Sequence, residues 1–237
     1  MDRDATPHTG RAKLLRLHRP VARYFRTKRL RWFTSVFDVK STTRVLDLGG
    51  LAYYWDFLDE SPTVTIINLE PPVEGTGSSR WVVADATRLP FRNGAFDVVF
   101  SNSLIEHIIG DSNRKAFADE VRRVGRRFCV QTPNRRFPIE PHLMTPLIHF
   151  LPRQLQKRLV RNFTLWGWIA RPTAAEASGF LGLTKLIDRR EFELLFPGAT
   201  IIRERFLGLT KSFTAVGSAD KAGMNPRQRQ APQAGSV

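Results

Sequence analysis

Cysteine is all but missing from this chain: Cys129 is the only one in 237 residues. No internal disulfide and no Cys-based metal site can form, a usage that fits a reducing cytoplasm, and no metal is expected. Long apolar runs are lacking as well. None approaches the roughly 20 residues needed to span a bilayer. The N-terminus carries Asp2 and Asp4 and has no continuous apolar stretch of the secretory type, so no secretory signal is expected. No internal repeat is found, and repeat architectures drop out. Acids are scarce beside bases: 22 Asp and Glu face 37 Lys and Arg, a formal net charge of +15. That balance favours anionic partners such as nucleic acid, phosphorylated metabolites or an anionic membrane surface, and says nothing about fold.

What is present suits one globular domain with extra elements, with roughly 70% of the unfolded surface buried on folding. Residues 1–40 read as a basic N-terminal helical arm. Its first ten residues are expected to be disordered. Between 11 and 37, apolar Leu14, Leu15, Leu17, Val21, Tyr24, Phe25, Leu30, Trp32 and Phe33 among many bases predict amphipathic helix broken at Pro20. From 41 to 217 the main domain alternates strands and helices. Strands are predicted at 43–49, 63–70, 81–86, 96–102 and 127–133, near-continuously apolar as in a parallel sheet covered on both faces. Helical spacing runs from Asn113 to Val124, and a second helix covers 188–196 with Asp188 as N-cap. Two closing strands flank a hairpin signal at Gly208. Residues 138–182, rich in Pro, Trp, Phe and bases, are too long for a simple connection and predict a helical insertion. Residues 218–237 are expected to be a disordered tail.

A doubly wound sheet binds its ligand at the carboxyl ends of its strands, near the point where strand order reverses. The strand ends here are polar. TRVLDLGG offers Asp47, Gly49 and Gly50; the second strand ends on Asn68 and Glu70; the third is followed by Asp85 and Ala86; the fourth ends on Ser101 and Asn102. The glycines let a backbone turn at positive φ and approach a ligand closely.

VLDLGG, the acid after strand two and VVADATRLPFRNGAFDVVFSNSLIEHI, followed by the closing helix and hairpin, resemble the class I S-adenosylmethionine-dependent methyltransferases of the small-molecule branch called type 11. TPNRRFPIEPH resembles a subgroup feature of bacterial members. The likeness covers roughly residues 43–217. It implies a doubly wound, mostly parallel, seven-stranded α/β sheet of the Rossmann-like methyltransferase kind, with a helical insertion after strand five that serves as acceptor lid. It implies S-adenosylmethionine as cofactor. Gly49 and Gly50 would seat its methionine and ribose parts, and Asp47 would orient the loop and the amino group. A ribose contact falls to Asn68, which aligns with the family acid, or to Glu70, which has the acid's chemistry. Asp85 would accept from the adenine amino group, the Ala86 backbone would touch the ring, and Asn102 completes the cofactor rim. Leu51 replaces the family's second motif glycine and narrows the turn.

Methyl transfer is an in-line displacement in which orientation is worth roughly 7–11 kcal/mol. For a hydroxyl acceptor, His107 and His142 are the candidate bases, their unperturbed pKa near 6.5 suiting the work. His107 also reads as a helix-end structural residue, Asp85 as a helix cap, and Trp166 with Trp168 as core or lid packing. The leading function is methyl transfer to a small-molecule, sugar or lipid-linked acceptor, in the cytoplasm or peripherally at the inner membrane face. RNA methylation is the alternative that the charge supports; no separate RNA-binding module and no Asn-Pro-Pro-Tyr-type motif accompany it. A catalytically degenerate binding protein of the same fold is the third reading, kept alive by Leu51.

Overall fold

The computed structural model describes residues 24–58, 60–72, 75–140, 143 and 145–218. Seven strands form one sheet: β1 (Arg44–Leu48), β2 (Thr63–Asn68), β3 (Arg80–Val83), β4 (Phe96–Asn102), β5 (Gly125–Pro133), β8 (Thr200–Phe206) and β9 (Leu209–Ser218). A small separate pair is made by β6 (Ile139–Glu140) and β7 (Thr145–Pro146). The order in the large sheet is β3-β2-β1-β4-β5-β9-β8. The first five strands are parallel, and β9 runs antiparallel between β5 and β8. The fold is therefore the doubly wound, mostly parallel α/β sheet expected from the alternation. The strand order reverses between β1 and β4, which opens a crevice at their carboxyl ends.

Side-chain alternation divides the core. Leu46 and Leu48 face one layer with Ile67, Val99, Phe128 and Val130, covered by α2 (Asp111–Val124) and α6 (Arg189–Leu195). Val45, with Val64, Ile66, Val98, Phe100 and Cys129, faces the other. That layer is closed by Leu30, Phe33 and Phe37 of α1, helical over 24–37. Period two places Asp47 on the α1 side with Val45.

Most boundaries lie within a few residues of those predicted. The third strand is shorter, ending at Val83, because the Asp85 carboxylate accepts a hydrogen bond from the Thr87 amide at 2.8 Å and turns the chain. Asp188 caps α6 as expected, its Oδ1 accepting from the Glu191 amide at 3.0 Å. The insertion differs at its start. It opens with the β6–β7 pair, where Ile139 faces Pro146, before the short helices α3 (Arg153–Leu159), α4 (Leu165–Ala170) and α5 (Ala174–Gly182). Those helices enclose a core of their own, Leu143, Ile148, Val160, Trp166, Ala177 and Leu181, with Trp166 stacked on Phe180 at 4.6 Å. The break at Pro20 and the C-terminal tail fall outside the described residues. Among the described residues no helix is long and apolar enough to cross a membrane.

Candidate active site

The turn after β1 is built around a buried acid. Asp47 is 3% exposed, and the Trp55 indole N–H donates to its Oδ2 at 2.8 Å. Burial pushes its pKa up to about 7, against the opposing pull of the Trp55 hydrogen bond and the charge of Arg26. Gly49 turns at φ +75, its amide bonded to the Ile67 carbonyl at 2.9 Å. Leu104, from the loop after β4, closes on it: a Cβ at Gly49 would lie 2.9 Å from Leu104 Cδ1. Gly50 is more constrained. A Cβ there would lie 1.8 Å from Asp47 Oδ2, inside the carboxylate itself. The Gly50 carbonyl accepts from Asn68 Nδ2 at 2.9 Å, so Asn68 braces the glycine turn from the end of β2. Leu51, in extended conformation, is 40% exposed and leads into the 3-10 turn Ala52–Phe57 that carries Trp55.

Three further rim positions follow from parallel register. Glu70 lies exposed two residues beyond β2, its carbonyl accepting from the Trp81 indole at 3.1 Å. Asp85 is exposed two residues beyond β3, and Ala86 beside it is half-buried. Asn102 ends β4, and its Oδ1 accepts from the Arg29 guanidinium of α1. Arg29 in turn lies 3.8 Å from Glu204 Oε2, a carboxylate that also accepts from Ser212 Oγ at 2.5 Å. Ser101 Oγ donates to the Leu48 carbonyl at 3.2 Å, tying β4 to the end of β1.

Residues 57–127 match the family described as a methyltransferase domain. A structure of an S-adenosylmethionine-dependent methyltransferase from Aquifex aeolicus is 12% identical, with 90% of this chain and 98% of that one covered at a TM-score of 0.50. A chain from the Haloferax volcanii complex of the Trm112 methyltransferase activator is 12% identical over 92% of this chain and 99% of its own, at a TM-score of 0.52. This chain spans 43% of the length of the cyclase SpnF, at 17% identity and a TM-score of 0.37. No curated protein matches the sequence. The chain has the fold of these methyltransferase structures, and its match to the methyltransferase domain family runs over residues 57–127.

The residues at the crevice beside β1 fit a donor such as S-adenosylmethionine. Gly49 and Gly50 carry no side chains, Leu104 and the Asp47 carboxylate lie where theirs would be, and polar groups end the neighbouring strands. Sequence reasoning missed Trp55, Arg29 and Leu104. Trp55 lies only eight residues from Asp47, but an isolated Trp in a bulky run carries no sign of its hydrogen bond. Arg29 and Leu104 reach the site only because α1 and the loop after β4 pack against the carboxyl rim.

Of the two candidate bases, His107 is exposed and its Nδ1 lies 3.4 Å from Thr184 Oγ1. It stands where the insertion returns: Lys185 N donates to the Glu106 carbonyl at 2.8 Å, and Glu106 Oε2 accepts from Thr132 Oγ1 at 3.1 Å. His142 lies outside the described residues. Both roots of the insertion thus sit at the carboxyl end of the sheet, one following β5 and the other beside the loop after β4. Among the described residues no group of three or more His, Cys, Asp or Glu side chains could hold a metal ion.

Proposed function

We propose that the chain transfers a methyl group from S-adenosylmethionine to a small-molecule, sugar or lipid-linked acceptor held under the 138–182 insertion. The observation that carries this reading is the Asp47–Gly50 turn, where glycine is demanded by a buried acid at the point of strand reversal. When bound, the donor supplies an activated methyl group and a neutral thioether leaving group. The chain supplies position. Asp47, ionised above about pH 7, attracts the donor's ammonium, and Trp55 holds that carboxylate in place. Asn68 keeps the Gly50 carbonyl fixed while its own Oδ1 remains an acceptor, and Glu70 offers the neighbouring carboxylate for ribose hydroxyls. Asp85 and the Ala86 backbone take the adenine end. Arg29 orients Asn102 beside the acceptor side of the crevice. For a hydroxyl acceptor, His107 takes the proton, a step worth typically 10²–10⁴-fold.

Calorimetry with S-adenosylhomocysteine tests the donor site. Wild type is expected to bind, more tightly at pH 8 than at pH 6 because Asp47 ionises between them, and Gly50→Ala is expected to abolish the heat. No binding by wild type at millimolar ligand overturns the reading. A methyl-transfer screen over lipid, sugar and RNA extracts then identifies the acceptor class; labelling of RNA alone overturns the acceptor assignment.

A further inference from the structure

The insertion holds a recess that shares no residue with the carboxyl rim. A cleft of about 410 Å³ is lined by Arg161, Asn162, Gly167, Trp168, Arg171 and Pro172. Its walls are fixed by backbone contacts. A Cβ on Gly167 would lie 2.2 Å from the Val160 carbonyl oxygen and 2.3 Å from that of Arg161, so only glycine lets α4 approach the preceding turn this closely. Thr164 locks the junction: its Oγ1 donates to the Val160 carbonyl at 2.5 Å and accepts from the Gly167 amide at 2.8 Å. The Trp168 indole N–H donates to the Asn162 carbonyl, which pins the ring as a wall although it is 65% exposed. Arg171 follows α4 in the left-handed region at φ 44, its amide bonded to the Gly167 carbonyl at 3.0 Å.

Two arginines and one indole held by its hydrogen bond therefore line a single recess. Among the described residues neither Arg161 nor Arg171 has a carboxylate within ion-pair distance, and no acid lines the cleft. Two cationic side chains on the lining of one cleft, with no acid among the lining residues, favour an anion there. The planar fork of arginine matches phosphoryl oxygens in pairs, and an indole face takes an apolar or ring-bearing body at little entropic cost. A bare solvated arginine pair would not need the glycine contact and the pinned ring.

We propose that this cleft binds a phosphate or pyrophosphate ester, its oxygens on Arg161 and Arg171 and its organic body on Trp168. The anion site does not rest on the proposed methyl transfer. The ester comes either from a soluble phosphorylated metabolite or from the headgroup of an anionic lipid.

The probes are inorganic pyrophosphate and geranyl pyrophosphate, titrated by calorimetry, and phosphatidylcholine vesicles with and without phosphatidic acid, followed by co-sedimentation. Arg161→Gln/Arg171→Gln changes two exposed side chains, and far-UV circular dichroism checks its fold. Its pyrophosphate affinity is expected to fall at least about tenfold, with affinity for S-adenosylhomocysteine unchanged. Arg31→Gln/Arg205→Gln, which removes the same charge from exposed positions elsewhere, is expected to bind pyrophosphate as wild type does. Trp168→Ala is expected to weaken geranyl pyrophosphate and spare inorganic pyrophosphate. Loss of vesicle binding in Arg161→Gln/Arg171→Gln supports the site with a lipid as its source; vesicle binding unchanged while pyrophosphate is lost supports it with a soluble ester. Equal pyrophosphate affinity in wild type and Arg161→Gln/Arg171→Gln, an equal loss in the Arg31/Arg205 control, or no binding by wild type at millimolar pyrophosphate overturns the proposal. A wild type that binds pyrophosphate through these arginines but takes up no S-adenosylhomocysteine keeps the anion site and overturns the methyl-transfer reading.

Discussion

Asp47 lies with a carboxylate oxygen where the Cβ of Gly50 would be, and Trp55 is its hydrogen-bond donor. Burial raises its pKa from the ordinary 3.8 to about 7, so the unfolded chain gives up this proton first. Its contribution to stability is complete below about pH 4 and is lost as pH rises through about 7. Asp47→Asn keeps an acceptor for Trp55 and removes the charge. Its stability relative to wild type, from urea unfolding, is expected to grow by about 3 kcal/mol between pH 5 and pH 8, at about 1.4 kcal/mol per pKa unit. A gap that stays constant with pH would show that Asp47 is ionised throughout. The acid and the glycines were legible in TRVLDLGG because strand ends and positive-φ turns restrict residue type. The use of Gly50 was not: the sequence suggests room for a ligand, while the fold shows that the first group needing the room is the protein's own carboxylate. Asp85 likewise serves its own turn through Thr87, but no helix follows β3, so it caps a turn and not a helix.

At the scale of elements, α2 and α6 meet the loop after β4 through Arg114. It is 1% exposed, donates to the Ile108 carbonyl at 3.3 Å, and pairs with Asp111 and, at 3.1 Å, with Glu191. Both carboxylates keep contact with water, so removing the arginine leaves no stranded buried charge. Arg114→Met is therefore expected to cost about 1.5–3 kcal/mol, the range for hydrogen bonds to a charged group, rather than to unfold the domain. Denaturant titration measures it, and a loss beyond about 4 kcal/mol would mean that the partners are more deeply buried than the geometry indicates. Strands and long helices were readable from period and length. The insertion was readable only as an interruption, because its helices are short and their apolar residues pack on each other rather than on the sheet. Its opening β6–β7 pair is two residues per strand, too short for any alternation to register.

For the molecule as a whole, the lone thiol reports on global opening. Cys129 stands in β5, 2% exposed, and burial pushes its pKa up. A maleimide is expected to label it only as the sheet opens, with labelling across a denaturant series tracking the circular-dichroism transition. Immediate labelling of the native protein would contradict a closed α1 layer over that face. By itself the sequence determined the alternation of strands and helices, the polar strand ends and the interrupting insertion, because these depend on neighbours a few residues apart. Only the tertiary structure decided that β9 slips between β5 and β8, that α1 sends Arg29 to Asn102, that Trp55 holds Asp47, and that Arg161, Trp168 and Arg171 share one cleft. Those contacts join residues through packing and strand order, and no local pattern of residue types encodes them.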